Sequence, residues 1–129
     1  MRKTNYRDYV VEAMQYYARC GKPNETCIRK LRFTANPKEE PNIRDLEAVE
    51  RALRRLGSEE YGERGAKAVQ MVYFVSPHTS LKRNDITERV HGAAGALHTC
   101  ESMVYASLRR MRDLVAEERG LRCNENMML

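Results

Sequence analysis

The chain has 129 residues, 32% of them charged, with a formal net charge of +5 and a mean hydropathy of −0.70. That describes one modest core under a heavily charged surface, and apolar runs of about five residues exclude the ~20-residue stretch a membrane-spanning helix needs. Arg2 and Lys3 are followed by no apolar segment, so no secretory signal is expected and the reading is cytoplasmic.

The first predicted helix carries Tyr6, Tyr9, Val10, Ala13, Met14 and Tyr17 on one broad face. Thr4 or Asn5 can cap it, and Gly21 followed by Pro23 stops it. The tyrosines read as amphipathic rings that fill a small core while keeping a wet hydroxyl edge. Asn24 opens a short second helix through about Arg32, with Ile28 and Leu31 as its apolar contacts. Residues 34–42 hold two prolines and no apolar period, and read as a loop.

A third helix spans about Ile43 to Leu56 and ends at Gly57. Ile43, Leu46, Val49, Leu53 and Leu56 step by three and four, which suits a bundle or the seam of a homodimer. Glu47–Arg51 and Glu50–Arg54 stand at the favourable i,i+4 offset on its wet faces. The segment Ser58 to Val75 starts weakly at Gly62 and Gly65, and finishes as a buried helix that Pro77 ends. A strand over Gln70–Val75 is the competitor, disfavoured because no partner strand is evident.

After a linker at 78–84, Asp85-x-x-Glu88 fits an acidic capping box. Ile86, Val90, Ala94 and Leu97 form one helical stripe, and Val104, Leu108, Met111 and Val115 another. Thr99 or Cys100 caps the second of these helices, and Gly120 stops it after Glu118 or Arg119. The pair has the outline of a helix-turn-helix, whose second helix can lie in the DNA major groove. Gly92, Ala93, Ala94, Gly95 and Ala96 are read as the small residues needed where the two helices cross. Residues 121–129 read as a frayed tail.

The expected architecture is all-α: five to six helices, a helical region over 1–77 and a helix-turn-helix over 78–120. The outward face early in the last helix carries Ser102, Met103, Ala106 and Ser107, beside an unfavourable Glu101. Arg109, Arg110 and Arg112 follow, and with Lys82, Arg83 and Arg89 they suit phosphate contacts. Strong base readout uses Arg, Lys, Asn or Gln, so this chemistry supports weak or shape-based specificity. The excess positive charge lies elsewhere: residues 1–33 hold eight Lys and Arg against three acids, residues 78–129 eight against seven.

The run Val104-Tyr105-Ala106-Ser107-Leu108-Arg109-Arg110-Met111-Arg112 resembles the end of the helix-turn-helix in the fourth region of sigma-70-type factors. Met71-Val72-Tyr73-Phe74-Val75 is similar to the helix end that precedes that motif. Within that group the chain looks most like the small phage and prophage regulators of the RinA and ArpU type, which also share a segment like Tyr6–Ala13. The resemblance implies a DNA-binding transcriptional regulator, with double-stranded DNA and RNA polymerase as partners. A phage packaging protein like a terminase small subunit, or a helical protein–protein adaptor, are the alternatives.

No catalytic reading competes. The chain lacks a glycine-rich phosphate loop, an H-E-x-x-H and a G-x-S-x-G. Cys20, Cys27, Cys100 and Cys123 contain no C-x-x-C pair, and His78, His91 and His98 complete no zinc spacing. Buried or half-buried free thiols are expected, with neither a metal nor a cofactor.

Overall fold

The computed structural model describes residues 3–76, 78 and 81–121, with side chains from residue 7 onward. Those residues form six α-helices and no strand: α1 (Lys3–Arg19), α2 (Glu25–Thr34), α3 (Glu40–Gly57), α4 (Gly62–Tyr73), α5 (Arg83–Ala96) and α6 (Glu101–Arg119). The all-helical expectation holds, and Gln70–Tyr73 is helix rather than strand. None of these helices is long and apolar enough to cross a membrane.

One apolar cluster holds the helices together, and it draws on all six. α6 is its centre, packing on α1, α3, α4 and α5. Val104, Leu108, Met111, Leu114 and Val115 are each no more than 1% exposed, and burying a side chain of that size contributes about 1.5–3 kcal/mol. From α1, Val10, Ala13, Met14 and Tyr17 are buried, as their spacing predicts. Tyr17 stacks at a tilt on Phe74 and donates to the Pro23 carbonyl, while Tyr9 donates to Asp45. The side chain of Tyr6 and the expected end at Pro77 lie outside the described residues, and Thr4 and Asn5 fall inside α1, not at a cap.

Four expectations need correction. The stripe on α3 is not free for a second copy: Ile43, Leu46, Val49 and Leu56 are buried within the chain, because α6, α4 and α1 all pack on α3. Residues 34–42 are mostly helical. Asn36 accepts from the Lys38 N–H and donates its own N–H to Glu39, so a single 3-10 turn at Pro37–Glu39 leads directly into α3. Both prolines sit in first turns, where their missing N–H costs nothing.

Asp85 is not the cap of α5 but its third residue, accepting from the Lys82 N–H at 3.0 Å. Finally, a Cβ built on Gly92 or Gly95 would meet nothing within 4 Å, so of the small residues in this run the two glycines are not where helices pack, while Ala93 and Ala94 are buried in the core. The close approach is at Gly65 on α4, where a Cβ would lie 2.6 Å from the Tyr61 Cβ and 3.0 Å from the Ser107 Oγ.

Candidate nucleic-acid interface

α5 and α6 are joined by only four residues, 97–100, and the chain is forced to turn there. The Thr99 N–H reaches back to the Ala94 carbonyl and the His98 N–H to the Gly95 carbonyl. His98 takes φ +55°, the left-handed position that usually holds glycine. Cys100, not Thr99, is the first residue ahead of α6, and its side chain makes no capping bond. Across the turn His91 Nδ1 and Glu101 Oε2 lie 2.8 Å apart, which ties the outer faces of the two helices.

The ten residues expected to meet DNA separate into two groups. Lys82, Arg83, Ser102 and Arg109 are exposed, while Met103 and Ala106 are half-buried beside them. Among the described residues, no ion pair holds Lys82, Arg83 or Arg109. Lys82 and Arg83 stand where α5 begins, beside the Asp85 carboxylate that accepts from the Lys82 N–H.

The other four are occupied internally. Ser107 is fully buried and donates to the Met103 carbonyl at 2.9 Å, so it does not face outward as expected. The inward stripe of α6 includes 107 as well as 104, 108 and 111, which leaves that hydroxyl against Gly65. Arg89 donates through one nitrogen to the Val72 and Val75 carbonyls, at 2.8 and 2.9 Å. It satisfies carbonyls that α4 leaves unpaired at its C-terminal end.

Arg110 grips Glu59 with two parallel hydrogen bonds of 2.8 and 2.9 Å. That grip holds the Glu59 carboxyl below its usual range and raises the Arg110 guanidinium. Arg112 donates to the Tyr73 hydroxyl at 2.8 Å. Arg89, Arg110 and Arg112 therefore brace α6 and α5 against the rest of the fold. Arg110 would have to leave Glu59 to grip a phosphate in the same two-pronged way, while Arg89 and Arg112 each commit one nitrogen internally.

One exposed residue was missed as a contact. Tyr105 is 39% exposed and lies one turn from Ser102 and one from Arg109. Its signal was present in the sequence, since the helical spacing 102, 105, 109 is the complement of the buried stripe. Tyr105 also lines a cleft of about 870 Å³ that opens beside α5. Among the described residues no cluster of three or more His, Cys, Asp or Glu side chains is placed to hold a metal, and Cys20, Cys27 and Cys100 are free thiols that stand exposed, not buried as expected.

Comparison with protein-family models, with curated proteins and with solved structures finds no match to this chain.

Proposed function

We propose that the chain binds double-stranded DNA and regulates transcription, with α5 and α6 serving as a helix-turn-helix and α6 entering the major groove. One observation carries this reading. Exposed Lys82 and Arg83 at the start of α5, and exposed Ser102, Tyr105 and Arg109 along α6, belong to two helices that a four-residue turn holds together. The cations supply phosphate contacts, and Ser102, Met103 and Ala106 early in α6 face the bases. Ser102, Met103 and Ala106 offer no bidentate pairing, so recognition rests on DNA shape more than on base edges. The likeness of Val104–Arg112 to sigma region 4 supports a place beside RNA polymerase.

Retention of a labelled mixed-sequence duplex, followed by fluorescence anisotropy across a salt series, tests this. Three available cations predict that log K falls with log salt at a slope of about −3. Replacing Arg83 and Arg109 together by alanine is expected to remove about two units of that slope. Binding that ignores salt, or no binding at low salt, contradicts the proposal.

A second reading, a protein-binding adaptor, draws on α2. Only Ile28 of that helix is buried, while Phe33 is 84% exposed and Leu31 43%. An adaptor predicts that Arg109→Ala combined with Arg110→Ala leaves retention on the duplex unchanged.

A further inference from the structure

The basic N-terminal part of the chain lies far in sequence from the α5–α6 pair, yet the fold brings one of its cations beside it. α1 packs on α3, α4 and α6, and among the described residues no Cα of α1 comes within 8 Å of a Cα of α5. Between α1 and α5 lies the cleft of about 870 Å³, with Arg7 on the α1 side, Arg83 on the α5 side and Tyr105 of α6 among its lining residues.

Its charges do not cancel. Arg19 is paired with Glu12 at 2.8 Å, which takes both out of the count. Arg7, Arg83 and Asp8 remain as charged lining residues, and neither arginine has an ion-pair partner among the described residues. Val11 and Ile86 give the walls apolar surface as well. The cleft thus offers two cations on opposite sides of a surface that is partly apolar and carries an aromatic ring.

We infer that one sugar–phosphate strand of the bound DNA runs along this cleft, with Arg7 and Arg83 on its phosphates and a deoxyribose against Tyr105. Tyr105 is what favours a strand over a small anion. It belongs both to the cleft and to the exposed stripe of Ser102 and Arg109, so a polyanion lying on that stripe continues into the cleft. This inference rests on the DNA-binding reading and extends the interface from two helices to three.

The test uses the full chain and the same labelled duplex in a salt series, with four single variants. Arg7→Ala is expected to reduce the slope by about 0.9, the share of one neutralised phosphate, and Arg7→Lys to restore most of it. Lys30→Ala, an equal loss of charge on the exposed face of α2, is expected to change nothing. Thermal melting of Arg7→Ala should match the wild type, because the side chain is exposed. If Arg7→Ala binds like the wild type while Arg109→Ala binds more weakly, the cleft inference falls and the DNA reading stands. An equal loss from Lys30→Ala would also overturn it, since charge alone would then explain both. If the wild type shows no salt-dependent binding, the DNA reading itself falls.

Discussion

Arg109 and Arg110 are adjacent and chemically identical, and the step of about 100° between neighbouring helix positions gives them different work. Arg109 faces solvent, while Arg110 meets Glu59 from 51 positions earlier in the chain. No local spacing reveals such a partner, which is why the sequence read Arg89, Arg110 and Arg112 as free cations. Ser107 was legible, because it stands three residues from Val104 and four from Met111, both buried. The Glu59 carboxyl, held low chiefly by its hydrogen bond from Arg110, gives a pH prediction.

A carboxyl depressed in the folded state adds stability above its unfolded pKa of about 4.3, and that stability is lost as pH falls through the folded value. The stability gap between wild type and Glu59→Gln should therefore be open at about pH 6 and close below about pH 4 in urea titrations. Gly65→Ala belongs to this scale too. The added Cβ meets the Tyr61 Cβ at 2.6 Å, a stem that cannot swing aside, so a loss of about 1–3 kcal/mol is expected by denaturant unfolding.

At the scale of elements, helix faces were the most readable feature. The stripes on α3, α5 and α6, and Val10, Ala13, Met14 and Tyr17 on α1, are buried or half-buried where their spacing places them, while Tyr9 stays exposed, and both i,i+4 pairs on α3 form. A stripe says that a face is covered, though not by what, so α3 read equally well as a dimer seam. Prolines at 37 and 41 misled for a related reason: the residue that breaks a helix interior is also welcome in its first turn. The α5–α6 turn leaves two weaknesses that can be repaired.

His98 holds a left-handed conformation that costs an ordinary side chain about 1 kcal/mol, and His98→Gly should recover much of that. Gly92 lies inside α5 with open space where a Cβ would go, so Gly92→Ala should add about 1 kcal/mol. Both gains are read as shifts in the thermal midpoint. A loss on Gly92→Ala would mean that a neighbour packs on that face after all.

For the whole molecule, α6 cannot be treated as a detachable reader. Its buried face is shared with α1, α3, α4 and α5, so residues 78–120 draw their stability from residues before 77. That arrangement leaves α6 its outer stripe and little else for a ligand. Composition correctly suggested one core, and the charge tally correctly placed the surplus cations near the N-terminus. Neither could say that α1 brings Arg7 to the same cleft as Arg83, because that depends on packing between helices some 75 residues apart.

Backbone amide shifts of the full chain, recorded by NMR as a mixed-sequence duplex is added at low salt, test the central claim most directly. If α5 and α6 hold the duplex, perturbations concentrate at residues 82–87 and 101–109, with a smaller set near Arg7. Shifts confined to α2, or a spectrum that the duplex leaves unchanged, would contradict it.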